Sequence, residues 1–444
     1  MPSLRQDLST TLRLAAPVAV SQVGMLAMGL VDTLLVGRLG AIELSAVALG
    51  DALYFTFAVF AVGLIMSMDP LISQAYGAQD PERASHAYWL GRGLALALVP
   101  PVFLAILAIR PGLRLLTEID PETITLCGDY VLARSLALVP SFLYMADRCF
   151  LRSLGDTRPA MTITLFAIGL NAALSYLLIF GVGPIPPLSV AGAALATAGC
   201  RLCMFVGLRL WTKRARYAAY RQIRRPTRRL IDQALWVGVP MGCSHASEVG
   251  AFAVASLIVG HVGVVALASH HVTMKMATAS FMFAIAIGTG TGIRVGHAIG
   301  GGRPQLAARA AWVGLGLGAC GMALSALGFV LGGPWIARAF TPDPKVVALS
   351  GSLLAIAGAF QLSDGLQAVA AGALRGAGQT GWPFVANVCA HWGVALPLAY
   401  VWALHWGGGA RAVWWSLAIG LTGTAVVLLW RVSKLRGLAP PTPT

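Results

Sequence analysis

The chain has 444 residues, of which 57% are hydrophobic and only 11% charged, with a mean hydropathy of +0.75. Soluble domains carry about 25% charge, so this composition excludes a water-soluble globular protein and points to a polytopic membrane protein. The net charge of +15 does not signal nucleic acid: the basic residues sit in short segments between apolar runs and form no basic face interleaved with aromatics.

In chain order, Arg5 and Arg13 lead directly into a long apolar segment with no small-residue cleavage site, so no cleaved signal is expected. Apolar runs of about 20 residues predict twelve membrane helices, an all-α fold. They cover residues 14–36, 43–68, 88–110, 125–150, 160–182, 190–211, 234–258, 263–290, 308–332, 349–375, 383–406 and 412–432. The connections are short and hold Gly, Pro and charge, as at Gly77–Arg83 and Gly181–Pro187. The longest polar connection, Lys213–Arg229, carries eight Lys or Arg and no acid, and reads as a solvated topology anchor near anionic lipid. With both termini placed in the cytoplasm, 22 of the 32 Lys and Arg fall on cytoplasmic segments and cytoplasmic span ends and six on the other side: Arg38, Arg110, Arg114, Arg338, Lys345 and Arg411. Four lie within spans: Arg134, Arg201, Arg209 and Lys275. That asymmetry orients the chain.

The halves repeat. A shift of 223 residues lays Pro17 on Pro240, Gly37 on Gly260, Gly77 on Gly300, Pro81 on Pro304, Arg152 on Arg375, Gly155 on Gly378 and Thr157 on Thr380. Six spans per half give both halves the same direction in the membrane, the parallel repeat of some transporters. The expected organisation is a six-helix lobe at 1–211, a basic cytoplasmic linker at 212–233 and a second six-helix lobe at 234–444.

Enzymatic and ATP-binding motifs are missing. No G-x-x-x-x-G-K-[ST], HExxH or G-x-S-x-G occurs, and the Gly288–Gly292 run (GTGTG) lies inside a span rather than after a soluble strand. Cys200 and Cys203 form a C-x-x-C in an Ala- and Leu-rich helix and read as small packing residues. His245, His270 and His271 have no surrounding motif of a membrane acyltransferase. No enzyme and no cofactor are expected.

The embedded acids then carry the functional reading. Asp364 and Glu248 fall near mid-span, each roughly 15–20 Å from the outer end of its predicted helix at 1.5 Å per residue. Asp32 lies nearer the outer end of the first span. A carboxylate inside the bilayer is expensive and faces a cavity or a partner, which points to an ion or substrate pathway; the alternative is that each acid caps a broken helix or bonds a neighbour. Glu43, Asp51, Asp69 and Asp147, closer to helix ends, read as interfacial or capping. The neutral polar residues Gln22, Asn171, Gln361, Ser363, Gln367 and Asn387 are interhelical hydrogen-bonding groups or cavity lining. Tyr54, Met274, Phe281 and Met282 would suit an apolar drug or serve as packing.

The chain resembles the multidrug and toxic compound extrusion (MATE) transporters, in particular their NorM-like bacterial branch. The resemblance rests on VDTLLVGRLG with Asp32, PLISQAYGA with Gln74 and Gly77, LRSLGDT with Arg152, Glu248 in the seventh span, FMFAIAIGTGTGIRVGHAIG, and FQLSDGLQ followed by GALRGAGQT. It implies two six-helix lobes in the bacterial inner membrane and export of cationic or amphipathic drugs in exchange for H⁺ or Na⁺. By position, Glu248 and Asp364 match the cation-site acids of the second lobe, which would ligate Na⁺ if Na⁺ is the coupling ion, and Asp32 matches the acid of the first. The expected partners are drugs and the bilayer, with no nucleic acid, and the protein is expected to be a monomer. One departure stands out. Lys275 replaces a position that is usually neutral and polar, often Asn; paired with Glu248 or Asp364 it would occupy the place of Na⁺ and tilt coupling towards H⁺. A lipid-linked precursor flippase is the alternative within related folds, although it would call for basic residues in a central cavity and few are embedded here.

Overall fold

The computed structural model describes residues 3–114, 120–181, 183–184, 186–223 and 226–437. Every regular element among them is helical. In hydrocarbon only internal hydrogen bonds satisfy the backbone, and helices supply these within one segment.

Eleven helices are single apolar spans: α1 (Leu4–Val36), α2 (Ala41–Gly77), α3 (Pro81–Leu113), α5 (Arg158–Phe180), α6 (Ser189–Thr212), α7 (Arg228–Val262), α8 (Val264–Gly300), α9 (Pro304–Arg338), α10 (Pro344–Gly376), α11 (Gly381–His405) and α12 (Gly409–Arg436). The remaining span, α4, is a pair, Pro121–Ser135 and Leu138–Ser153, bent by 49° at its break. Pro140 has no N–H to offer the Leu136 carbonyl, which accounts for the break just before it. Most helices outrun the predicted spans: α1 starts at Leu4 and α8 continues to Gly300. Hydropathy marks the hydrocarbon-facing stretch, whereas the helix continues into polar sequence until a cap stops it. Asp80 and Asp120 cap α3 and α4 by accepting from the amides of Arg83 (2.8 Å) and Thr123 (3.0 Å), and Asp343 caps α10 through the Lys345 amide (2.8 Å). A proline follows each cap at the first helical position, where its missing N–H costs nothing.

The internal repeat reappears in hydrogen bonds. Gly155 and Gly378 both adopt positive φ (85° and 77°) where α4 and α10 end. The Gly155 amide donates to Arg152 O (2.9 Å) and the Asp156 amide to Leu151 O (3.0 Å). The Gly378 amide donates to Arg375 O and the Gln379 amide to Leu374 O, both at 2.8 Å. The same C-terminal cap thus closes the LRSLGDT and LRGAGQT motifs, and glycine is required there because the left-handed backbone disfavours a Cβ.

The chain divides into two compact units. One comprises, as far as they are described, Met1–Ala19, Ser73–Gln79 and Cys243–Thr444; the other comprises Val20–Ile72 and Asp80–Gly242. The divisions at Ala19/Val20 and Gly242/Cys243 fall inside α1 and α7, shortly after the repeat-related Pro17 and Pro240. They therefore differ from the polar linker at 212–233, where the sequence suggests the chain should divide.

In the first unit α8 crosses α10 backbone to backbone. A methyl on Gly372 would sit 2.3 Å from the Gly288 carbonyl oxygen, and one on Gly376 2.1 Å from that of Gly292. The GTGTG run is thus a packing surface. The end of α2 seats on the end of α8 in the same unit: Gly77 lies against the His297 backbone, and Gln74 Nε2 donates to Gly376 O (2.9 Å). A buried cluster with Trp414, Phe360 and Leu353 fills this unit's other end. In the second unit the core gathers Ile65, Ile106, Tyr130 and Phe142.

The basic linker is more ordered than a solvated anchor. Ala215–Arg221 forms a short 3-10 helix on the second unit, with Tyr217 buried. Tyr217 and Arg216 both donate to Asp156. Burial and then the Asp156 hydrogen bond push the Tyr217 hydroxyl up to about 12, so it remains a donor at neutral pH. Ser85 Oγ donates to Gln222 O (2.5 Å) and Trp89 Nε1 to Arg221 O (3.2 Å). Arg224 and Arg225 of the same linker lie outside the described residues.

Candidate functional site

In the first unit α7 and α10 bring two of the expected acids into electrostatic range of one another. Asp364 is buried on α10, flanked one turn either way by Gln361 and Gln367. Residues three apart share a helix face, which aligns all three. Gln367 Nε2 donates to Asp364 Oδ1 (3.3 Å), and Gln361 Nε2 donates to Ser280 Oγ on α8 (2.7 Å). Gln361 Oε1 is buried and accepts no hydrogen bond among the described residues. Glu248, half-buried on α7, is within electrostatic range of Asp364 and of Arg375. By residue count Glu248 lies about 21 Å from the α7 end at Val262 and Asp364 about 30 Å from the α10 start at Pro344, both more than the apolar runs give because the helices continue beyond them. Beside Glu248, Trp392 Nε1 donates to the Ser247 carbonyl (3.1 Å) from a π-helical stretch of α11, Cys389–Ala395.

The repeat explains the role of Arg375. Its counterpart Arg152 is buried against Asp69, with Nε donating to Oδ1 at 2.8 Å and Nη2 donating to Oδ2. Position 292, which the shift lays on Asp69, is Gly. No carboxylate stands at that place in the second half, and Arg375 is within electrostatic range of Glu248.

Lys275 is exposed and makes no ion pair with Glu248 or Asp364 among the described residues; it lies within electrostatic range of His271. Met274 packs against the Trp414 cluster and Phe281 against Met322 and Ala368. Met282 is half-buried, and Ser363 accepts from Thr422 Oγ1 (3.1 Å).

In the second unit Asp32 is held by α5 and α6. It accepts from Ser175 Oγ (2.7 Å) and Thr197 Oγ1 (3.0 Å), while Asn171 Nδ2 donates to Ser175 Oγ (3.4 Å). Asn171 Oδ1 is buried without a hydrogen-bond partner among the described residues. Gln22 and Met25 lie on the Asp32 stripe of α1 and meet two guanidiniums: Arg148 Nη2 donates to Gln22 Oε1 (3.2 Å), and Arg201 Nη1 approaches Met25 Sδ (3.6 Å). Tyr54 lies 5.0 Å below the Arg134 guanidinium, and Arg134 pairs with Asp51 (2.8 Å).

Two further acids read as interfacial or capping are also ion-paired. Asp147 is fully buried, paired with Arg92 (2.6 Å) and accepting from Tyr88 (2.8 Å); Asp69 pairs with Arg152 as described. Sequence reading missed Ser175 and Thr197, although Ser175 follows Asn171 by one helical turn, and it missed that Trp414 and Ser256 hold the two nitrogens of the buried His270 (3.1 and 3.0 Å). No group of three or more His, Cys, Asp or Glu is placed to hold a metal among the described residues. A cation at Glu248 and Asp364 would therefore draw on neutral oxygens such as those of Gln367.

The MatE family profile matches residues 17–177 and again 240–401, the two starts separated by the same shift as the repeat. The chain belongs to the MatE family. It is a multi-pass membrane transporter and not an enzyme. It is similar to a multidrug resistance protein NorM of Burkholderia vietnamiensis, 36% identical over 437 residues, covering 97% of this chain and 94% of that one. It is also similar to the multidrug resistance protein PmpM of Pseudomonas aeruginosa, 31% identical, covering 97% and 92%. The fold matches the crystal structure of the eukaryotic MATE transporter AtDTX14 with a TM-score of 0.87 at 18% identity, covering 98% and 99%. It matches a MATE in the bent conformation with a TM-score of 0.88 at 21% identity, again covering 98% and 99%.

Proposed function

We propose that this MatE protein is a multidrug efflux transporter of the bacterial inner membrane, with both termini cytoplasmic, that exports cationic or amphipathic drugs by antiport with H⁺ or Na⁺. The names of its relatives support the efflux reading. The observation that supports the coupling is a buried Asp364, held by Gln367 in the interior of α10, in the same unit as Glu248 within α7. Two carboxylates there repel unless a proton or a small cation joins them, so cation occupancy and drug occupancy oppose each other through charge. An antiporter needs this: each ligand must favour a different state of one equilibrium, and the effect is reciprocal. Asp32, with its hydroxyl donors, is a second such acid. Lys275, unpaired with either second-half acid, lends no support to a preference for H⁺.

Accumulation in an efflux-deficient host tests the reading. Cells expressing the chain should hold less ethidium or fluoroquinolone than cells with empty vector; equal accumulation at verified membrane expression contradicts it.

A further inference from the structure

A groove of about 860 Å³ runs along α9 in the first unit, bounded by the start of α1 and the end of α12. That volume lies within the roughly 300–1,000 Å³ of ligand sites. Its wall is apolar, formed by Leu8, Trp312 and Leu317 among others, while Gln305, Arg309 and Arg436 stand at one end. All three belong to the membrane face that holds both chain termini. From Gln305 to Cys320 the groove follows fifteen residues of α9, about 22 Å. A single leaflet, headgroups included, is about 20–22 Å deep. The polar end thus sits at headgroup level and the apolar floor ends near the midplane.

The charge at the mouth is also unbalanced. Asp7 is buried and ion-paired to Arg309 Nε (2.7 Å) and to Arg294, whose Nη1 also donates to Thr11 Oγ1 (2.6 Å). Arg294 and Arg309 both pair with Asp7, whereas Arg436 is exposed with no ion pair among the described residues. The α9 N-terminus, opening at Pro304, adds partial positive charge. An apolar channel one leaflet deep beneath a net positive mouth matches a single ligand chemistry: an acyl chain carrying an anionic headgroup.

We propose that this groove is a binding site for one anionic phospholipid of the leaflet on the terminus side, its phosphate on Arg436 and Arg309 and an acyl chain along Trp312 and Leu317. The site is separate from the acids of the coupling reading and stands whether or not that reading holds. A juxtamembrane basic residue contributes about a fivefold preference for anionic lipid.

Native mass spectrometry of the full chain, exchanged into equimolar phosphatidylglycerol and phosphatidylcholine, reads the first consequence. One phosphatidylglycerol should be retained with a preference of about fivefold or more, and Arg436→Gln should reduce that preference about fivefold. Equal retention of the two lipids, or an unchanged preference in Arg436→Gln, overturns the proposal and leaves an annular contact only. Fluorescence in vesicles locates the site independently. The signal lost on Trp312→Phe should be quenched more by brominated phosphatidylglycerol than by brominated phosphatidylcholine; equal quenching overturns the assignment to this groove.

Discussion

Asp364 lies between two glutamines, one that donates to it and one turned to Ser280, so its surroundings tolerate a neutral side chain of the same shape. Asp364→Asn should therefore leave folding intact, with a thermal midpoint in detergent within a few degrees of wild type, and abolish drug resistance in expressing cells. Wild-type resistance from that variant would remove Asp364 from the account. Arg152 behaves oppositely. Its guanidinium is buried against Asp69, and Arg152→Ala leaves a largely buried carboxylate without its partner. Breaking such a pair costs about 3–5 kcal/mol, so thermal unfolding should show a clearly lowered midpoint, and an unchanged midpoint would contradict the structural role. These two residues also mark what sequence could reveal. An acid in an apolar run is conspicuous because bilayer burial is costly, whereas the Arg152–Asp69 pair joins residues far apart in sequence. Nothing local distinguishes Asp69 or Asp147 from an interfacial acid.

At the scale of helices, existence and number were legible because hydropathy reports the hydrocarbon slab. Their ends were not, because capped helices continue through polar sequence, as α1 and α8 do. The bend within α4 could have been anticipated at Pro140. The order of the basic linker could not, since its docking depends on Asp156, Ser85 and Trp89, all outside it. The structure shows the use of the Gly-rich run of α8: Gly288 and Gly292 allow α10 to approach. Gly372→Val places side-chain atoms against backbone that cannot give way, and overpacking of this kind costs about 1–3 kcal/mol. Gly321, with nothing within 4 Å of an added methyl, is the control. Gly321→Ala should be neutral or stabilising by up to about 1 kcal/mol. Scanning both variants by thermal unfolding checks the pair; equal midpoints would contradict the close crossing.

For the whole molecule, the repeat was readable as a constant shift, and it returns as paired capping motifs and a twofold family match. The repeat is informative where it fails: Asp69 has only Gly292 opposite it, and Arg375 is within electrostatic range of Glu248. The exchange of Met1–Ala19 and Ser73–Gln79 into the unit of the second half was not readable, because it is a property of packing and not of pattern. The central claim, that acids in the membrane exchange a small cation for drug, is most directly tested by transport in vesicles containing the purified protein. With a proton or Na⁺ gradient imposed, a cationic drug should move against its own gradient only while the cation gradient lasts. Drug movement at the same rate with both cation gradients collapsed would contradict it.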